Sequence, residues 1–233
     1  MRKHFCMSDV HGDFPHFDEM LEKIRFSEED MLYVLGDAID RGNENLKLLE
    51  FIRKHDSNIR LLKGNHEYFM WLYLKGDLPA RQWDLWGGTE CREEVDRLST
   101  EEQQELKRYL ETLPYSEVIE GEEKKWIGTH TGFHKVYCKM DDRGRIAVEL
   151  SINNAVRHAP FEYLLSTDLY DESDEQDFDL PVIAGHLPTI WITGAPEIYR
   201  AKAYIGIDTG NGYRGQGGRL ACYCLEEDKA YYV

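Results

Sequence analysis

The sequence has no run of about 18 consecutive apolar residues, which is the length that a membrane-spanning helix requires. Residues 1–4 lead directly into a short apolar stretch and not into the longer hydrophobic segment of a secretory signal. We therefore expect a cytoplasmic protein with no membrane association. Hydrophobic residues make up 42% of the 233 residues, which favours a folded protein with one substantial core. We expect a single domain that covers residues 1–233.

Basic residues are scarce: 28 lysines and arginines stand against 44 acidic residues, for a formal net charge of −16. Extended binding to nucleic acid requires a basic face, and no cluster of Lys and Arg supplies one. The acidity is partly local, because residues 168–179 hold seven carboxylates in twelve residues. No histidine or glycine interrupts this segment, so we interpret it as a solvated acidic loop and not as a metal site.

Cysteine occurs only five times, and no two cysteines form a CxxC pair, which argues against a zinc ribbon. Cys222 and Cys224 lie two residues apart on a predicted strand. They therefore face the same side and are poorly placed for a disulfide. We interpret all five cysteines as buried or half-buried thiols in a reducing compartment.

Strands and helices alternate over the first third of the chain. Apolar stretches predict strands at 4–7, 31–35 and 59–62. Apolar residues spaced by three or four predict helices at 14–25, 45–55 and 67–75. This order implies a parallel sheet with right-handed crossovers.

The remaining chain is predicted to contain a helical middle and a strand-rich second half. The middle covers residues 76–114 and is polar and rich in tryptophan. The later strands are predicted at 116–119, 124–128, 181–184, 203–207, 219–226 and 230–233. This pattern predicts an α/β protein with two sheets packed face to face and helices outside.

Metal-ligating side chains follow each of the first three predicted strands. The segments are Asp9-Val10-His11, Gly36-Asp37-Ala38-Ile39-Asp40-Arg41-Gly42 and Gly64-Asn65-His66-Glu67. Ligands collect at the carboxyl ends of strands in open α/β sheets. Two further histidines, His130 and His186, follow predicted strands in the second half. Carboxylates, imidazoles and an amide that converge in this way indicate a polynuclear site for divalent metals.

These segments resemble the motifs of the calcineurin-like metallophosphoesterases. Residues 8–12 are similar to the GDxHG motif, with Ser8 in place of the first glycine. The other two segments match in full the GDxxDRG and GNHE motifs of the phosphoprotein phosphatases within that family. Residues 86–89 and 207–210 are similar to the NGGxxT and IDTG stretches of bacterial members, with Trp86 in place of the asparagine. The resemblance implies a four-layer α/β/β/α sandwich of two mixed sheets, with a small helical insert at about 76–114.

The resemblance also implies two divalent metal ions per chain. One ion takes Asp9, His11 and Asp37, and the other takes Asp37, Asn65, His130 and His186. Asp37 bridges both ions. Manganese is favoured, and iron, zinc and cobalt stay open because imidazole and carboxylate ligands suit all four.

By the same resemblance, a hydroxide that bridges the metals attacks phosphorus directly, without a phosphoenzyme. His66 is the expected acid for the leaving group, and Asp40 holds it in the productive tautomer. Arg41 is expected to grip the phosphate oxygens together with Asn65 and His66. Glu67 is expected to support its loop and the start of its helix.

One phosphate-binding group of the phosphoprotein phosphatases is missing. Their Leu-Trp-x-Arg-like segment corresponds to residues 163–170, which contain no arginine. We hypothesise that Arg214, in the glycine-rich stretch 210–218, replaces it. Arg157 is a second candidate.

Three functions are compatible with these residues. The first is a serine/threonine protein phosphatase, and the second is a symmetrical diadenosine tetraphosphate hydrolase or another nucleotide phosphoesterase. For the second, the insert residues Arg81, Trp83, Trp86 and Arg92 either form a wall over a nucleotide or simply pack the insert onto the core. The third is a phosphoprotein-binding module with little turnover. The substrate is thus a phosphoprotein or a phosphorylated small molecule or nucleotide, and the sequence leaves the oligomeric state open.

Overall fold

The computed structural model describes residues 2–172 and 177–233. The strands are β1 His4–Met7, β2 Met31–Val34, β3 Ile59–Leu61, β4 Ser116–Glu120, β5 Lys125–Thr129, β6 Val182–Ala184, β7 Tyr199–Arg200, β8 Tyr204–Gly206, β9 Ala221–Cys224 and β10 Lys229–Tyr232. The helices are α1 Phe14–Ile24, α2 Asn45–Lys54, α3 Asn65–Lys75, α4 Ala80–Leu85, α5 Thr89–Asp96, α6 Thr100–Thr112, α7 Val148–His158, α8 Pro160–Leu164, α9 Asp168–Glu172 and α10 Thr189–Thr193. Two 3₁₀ segments, Lys135–Tyr137 and Asn211–Gln216, complete the elements of the described part.

The strands form two mixed five-stranded sheets. The first sheet has the order β10-β9-β1-β2-β3, with β1, β2 and β3 parallel and β9 antiparallel to β1. The second has the order β4-β5-β6-β8-β7, with β5, β6 and β8 parallel and antiparallel strands at both edges. The predicted parallel arrangement of the first three strands is confirmed.

Strand side chains alternate between two apolar layers, which produces the four-layer sandwich. In β1, Phe5 packs on the helical side of the first sheet, whereas Cys6 packs between the two sheets. In β6, Val182 likewise belongs to the helical side of the second sheet and Ile183 to the layer between the sheets. Both faces of these strands are buried, which explains why they read as continuous apolar runs. The predicted α/β/β/α architecture is confirmed.

The helical insert packs on the outer side of the first sheet. Trp83, Cys91, Val95 and Leu106 are buried there with residues of α1, α2 and α3. Cys222 and Cys224 share that side of β9, as predicted, and all five cysteines are free thiols. No helix within the described residues is long and apolar enough to cross a membrane.

The structure differs from the sequence prediction mainly between β5 and β8. Helices α7 to α10 were not predicted, although Val148, Ile152 and Ala155 of α7 follow helical spacing and are buried. The acidic segment 168–179 is a helix and not a loop over Asp168–Glu172, with Leu169 buried. Residues 173–176 of that segment lie outside the described residues.

Both sheets present the carboxyl ends of their parallel strands to one common edge. The backbone N–H of His186, after β6, donates to Oδ2 of Asp9, after β1, over 2.9 Å. The imidazole of His130, after β5, donates from Nδ1 to the carbonyl of Leu35, after β2, over 2.8 Å. Loops from the two sheets therefore meet directly, and the predicted metal-ligating segments come together there.

Candidate metal centre

Several residues in the loops at this edge have an unusual backbone conformation. Six non-glycine residues here have positive φ angles between 52° and 72°: Asp9, His11, Asp37, Asp40, Arg41 and His186. Such residues are uncommon and cluster at functional sites when the surroundings enforce them. The enforcement comes from a backbone ladder, since His11 N–H donates to Asp37 O over 3.0 Å and Gly12 N–H to Ala38 O over 2.7 Å.

Two groups of possible metal ligands form at this edge, and they share one carboxylate. The first group is His11, Asp37 and His66, and the second is Asp37, His130 and His186. Within each group the ligand atoms lie within 4.8 Å of one another. Asp37 is thus placed to bridge two ions, which is the role that the sequence predicts for it.

The second group is arranged for a cation. Asn65 Oδ1 lies 3.0 Å from Nε2 of His130 and 3.0 Å from Nδ1 of His186, and these two nitrogens are 3.2 Å apart. Because His130 gives its Nδ1 proton to a backbone carbonyl, its Nε2 presents either a lone pair or a second proton to the cluster. Several acceptor atoms that face one another need a positive charge between them, so the residues fit a divalent ion.

A proton and a metal ion compete for the same nitrogen. Burial lowers the pKa of His130, but the Asp37 carboxylate, 3.3 Å from its Nε2, outweighs burial and raises the pKa to about 10. Burial and then the charge of His130 lower the pKa of His186 to about 3. The cluster therefore holds a positive charge on His130, and a metal ion bound at this nitrogen would displace that proton.

The first group includes His66 where the prediction has Asp9. Nε2 of His11 lies 3.7 Å from Oδ1 of Asp9, so Asp9 is also brought to the cluster. Nδ1 of His11 donates to the carbonyl of Ile39 over 3.0 Å, which directs Nε2 toward the other ligands. His66 Nε2 lies 3.7 Å from Oδ2 of Asp37. The structure therefore places both Asp9 and His66 beside the site that His11 and Asp37 form.

Ser8, the departure from the GDxHG motif, packs tightly at the junction of the two sheets. Ser8 is buried, with 2% of its surface exposed, and its Oγ donates to Oδ2 of Asp9 over 2.5 Å. A Cβ at Gly185 would lie 1.8 Å from this Oγ. Serine at position 8 therefore requires glycine at position 185, and the hydroxyl orients the Asp9 carboxylate.

The Arg41 guanidinium lies between two imidazoles of the site. Nη1 is 3.0 Å from Nε2 of His11, and Nη2 is 3.2 Å from Nε2 of His66. A metal ion bound through Nε2 of His11 would take the place of the first contact. Arg41 then has donors free for phosphate oxygens, which is consistent with its predicted role.

His66 forms a buried chain with Asp40 and Trp83. Nδ1 of His66 lies 2.6 Å from Oδ2 of Asp40, and Trp83 Nε1 donates to the same oxygen over 2.7 Å. Burial opposes protonation of His66, but Asp37 and Asp40 together raise its pKa above the usual value. The dyad of His66 and Asp40 that the sequence predicts is thus present in the geometry.

The contact of Trp83 with Asp40 is not predicted from the sequence. The sequence leaves open a place for Trp83 in a nucleotide wall, but its side chain is fully buried and faces Asp40. Arg92 of the same proposed wall is paired with Asp84 and Asp96, so neither Trp83 nor Arg92 is available to contact a nucleotide. Gly88 leaves room for this inward position, because a Cβ there would lie 2.1 Å from the Trp83 indole nitrogen.

Glu67 supports the loops, as expected. Its Oε2 accepts from the N–H groups of Asp37 and Gly64 over 2.8 Å and 2.9 Å, and its Oε1 accepts from Ala38 N–H over 2.8 Å. Burial and then the charge of Asp37 raise the pKa of Glu67 to about 7.

Arg214 reaches the same cleft as His11 and Arg41. The cleft has a volume of about 410 Å³. Arg214 Nη1 donates to Oδ1 of Asn211 over 2.7 Å, and Asn211 is itself bonded to the carbonyl of Val10. Arg157 is exposed on α7 and does not line this cleft. A larger cavity of about 530 Å³ lies at the opposite edge of the sheets and contains none of the predicted site residues.

Metal binding tests the shared carboxylate. Wild-type protein is expected to bind about two Mn²⁺ ions per chain, as dinuclear sites do. Asp37→Asn is expected to bind fewer than one, because this change removes a charged ligand from both groups. Equilibrium dialysis followed by metal analysis gives the stoichiometry.

His134→Asn is the matched control, because this imidazole lies 3.5 Å from Asp168 and belongs to neither ligand group. It should retain the wild-type stoichiometry. Undiminished binding by folded Asp37→Asn protein would show that the carboxylate does not bridge.

The sequence of this chain is similar to those of several proteins that share one name. The symmetrical bis(5'-nucleosyl)-tetraphosphatase of Pectobacterium atrosepticum is 24% identical over 225 residues, covering 96% of this chain and 70% of the relative. That of Mannheimia succiniciproducens is 24% identical over 207 residues, covering 88% of this chain and 64% of the relative. That of Erwinia tasmaniensis is 28% identical over 130 residues, covering 55% and 43%. The chain thus spans from less than half to about two thirds of the length of these relatives.

Solved structures with a similar fold include phosphoesterases of several kinds. A structure named as a candidate diadenosine tetraphosphatase has a TM-score of 0.65 and 15% identity, covering 99% of this chain and 92% of that one. A Saccharomyces cerevisiae protein serine/threonine phosphatase has a TM-score of 0.59 and 16% identity, covering 94% and 72%. At these identities the likeness concerns the fold alone.

The sequence profile of the calcineurin-like phosphoesterases matches residues 4–210, which include every predicted metal ligand. That match agrees with the fold and with the ligand groups at the sheet edge. The chain belongs to the calcineurin-like phosphoesterase family and is a metal-dependent phosphoesterase.

Proposed function

We propose that this phosphoesterase hydrolyses bis(5'-nucleosyl) tetraphosphates symmetrically. The observation that carries the proposal is the match to the Pectobacterium tetraphosphatase over 96% of the chain. The sequence motifs by themselves favour a serine/threonine protein phosphatase. That alternative has weaker support, since the similarity to the yeast phosphatase is limited to the fold.

Symmetrical hydrolysis breaks the central phosphoanhydride of the tetraphosphate. Water adds to one central phosphorus, the bond from that phosphorus to the bridging oxygen breaks, and two nucleoside diphosphates leave. Two divalent ions held by the six predicted ligands would supply Lewis acidity for this transfer.

The protein's own side chains bind the phosphates of the substrate and supply a proton to the leaving group. Arg41 offers a planar pair of donors to the oxygens of the reacting phosphate. His66, held by Asp40 at Nδ1, directs Nε2 toward the same space and donates a proton to the departing diphosphate. Arg214, which lines the same cleft as His11, binds a further phosphate group of the tetraphosphate.

Substrate preference tests the proposed function. With manganese-loaded protein, kcat/KM for diadenosine tetraphosphate is expected to exceed that for a phosphothreonine peptide by at least about tenfold, equivalent to about 1.4 kcal/mol of transition-state stabilisation. Product analysis should give ADP alone. A preference for the peptide would instead support the protein phosphatase.

His66→Asn tests the proton donor. A general acid contributes about 10²- to 10⁴-fold, and it matters most for a poor leaving group. We therefore expect kcat to fall by at least about 10²-fold on the phosphothreonine peptide and by less on the dinucleotide. Metal content is expected to stay unchanged. Loss of metal in this variant would identify His66 as a ligand, as its place in the first ligand group permits.

Arg214→Ala tests the replacement of the missing arginine. A charge-assisted bond to phosphate contributes roughly 1.5–3 kcal/mol, so inhibition by inorganic phosphate should weaken by roughly 10- to 100-fold. Arg157→Ala is the control, because this arginine is exposed on α7 away from the cleft. Equal inhibition constants for wild type and Arg214→Ala would contradict the assignment.

A further inference from the structure

Two groups of aromatic side chains flank the candidate metal centre. The Trp86 cluster consists of Phe69, Trp86 and Phe161, and the Trp191 pair consists of Trp191 and Tyr213. Neither group supplies a metal ligand or a proton. Both reach the protein surface, since Phe161 is 36% exposed and Trp191 is 55% exposed.

The Trp86 cluster lies beside His66. The ring of Phe69 is 5.5 Å from that of His66 and 4.3 Å from that of Trp86. Phe161, on α8, adds a third ring 6.1 Å from Trp86. Phe69 is buried and Trp86 is half-buried, so the cluster runs from the His66 imidazole to the solvent.

The Trp191 pair lies beside Arg41. The two rings are 4.8 Å apart, and the Arg41 guanidinium carbon lies 4.7 Å from the centre of the Tyr213 ring. Trp191 belongs to α10, a short helix that begins three residues after His186. Trp191 therefore follows the predicted ligand His186 closely in the chain, and Tyr213 directly precedes Arg214 in the segment Asn211–Gln216.

Core packing does not account for the exposed members of these groups. An indole with more than half of its surface in water stabilises the fold little, and neighbouring exposed aromatic rings often mark a binding surface. Aromatic rings stack on nucleobases regardless of base identity. Arg41 connects the two groups, because it contacts Tyr213, His11 and His66.

From this arrangement we propose that the Trp86 cluster and the Trp191 pair each stack one base of a dinucleoside polyphosphate, with the phosphate chain lying across the metal centre between them. The inference rests on the proposed function and specifies how its substrate is recognised. A substrate with a base at each end of a phosphate chain fills both surfaces, and an inorganic polyphosphate fills neither. The surfaces then select for length and for two bases.

Variants of Trp191 test the inference through a ratio of specificity constants. For manganese-loaded protein, kcat/KM is measured on diadenosine tetraphosphate and on inorganic tetraphosphate, which has the same phosphate chain and no base. Trp191→Ala is expected to lower the ratio of the first to the second by roughly 5- to 100-fold, the range that loss of one stacked base produces. Trp191→Phe should recover most of it, because a smaller ring still stacks. Phe161→Ala should lower the same ratio independently, at the other surface.

Ile192→Ala is the matched control, since Ile192 is on the same short helix, is 40% exposed and carries no ring. It should leave the ratio unchanged. An equal fall in Ile192→Ala would show that any disturbance of α10 is responsible and would overturn the assignment to Trp191.

Binding without catalysis provides a second measurement. Addition of ADP, the product of the proposed reaction, to manganese-loaded protein is expected to quench tryptophan fluorescence, and the quench should be smaller in Trp191→Phe at saturation. An identical quench in wild type and Trp191→Phe would show that no base reaches Trp191.

The two proposals fail in distinguishable ways. If wild-type protein prefers the phosphothreonine peptide, the proposed function fails irrespective of Trp191. If wild-type protein prefers the dinucleotide and Trp191→Ala keeps the full ratio, the function stands and the stacking inference is overturned.

Discussion

The structure depends on the convergence of buried acceptor atoms at one edge of two sheets. Asp37 lies at the centre among imidazole nitrogens, and the Asn65 amide oxygen lies beside two of those nitrogens. Buried charges and lone pairs that face one another are unfavourable unless a positive charge joins them. Without metal, the proton on His130 and the guanidinium of Arg41 provide that charge. The same demand favours the binding of divalent cations at this edge.

The surrounding protein holds this arrangement through neighbours that never touch a substrate. Glu67 accepts three backbone N–H groups and so fixes the loop that carries Asp37. Ser8 orients Asp9, and two backbone carbonyls fix the imidazoles of His11 and His130. Such partners determine which nitrogen faces the metal and keep ligand positions constant while a reaction proceeds. The strained positive φ angles are tolerated because hydrogen bonds from both sheets enforce them.

The helical insert and the last loop have separate tasks around this centre. Trp83 turns inward and donates to the carboxylate that holds His66, whereas Trp86, three residues later, turns outward to the mouth of the site. The segment Asn211–Gln216 lies against His11 and Arg41. It contributes Arg214, Tyr213 and the backbone of Gly212. The segments around the site are therefore distinct from the residues that would hold the metal ions. In general, one fold carries different functions through differences in such surrounding segments.

Most strands, the parallel order of the first three and the segments that meet at the sheet edge could be predicted from the sequence, because each motif is local. A turn after a strand needs particular residues at fixed spacing, and those residues are the ligands themselves. Contacts between distant segments could not be predicted, because they depend on how the elements pack. The fit of Ser8 against Gly185, the inward position of Trp83 and the approach of Arg214 to the cleft each join residues that are far apart in the chain or depend on side-chain direction. Helix α7 was missed although its apolar spacing was readable, since its neighbours in sequence resemble a loop. The pairing of Trp191 with Tyr213 likewise needed the fold, because two rings 22 positions apart meet only when α10 packs against the last loop. The residue types of each short motif can therefore be read from the sequence, whereas the geometry around the site arises from packing.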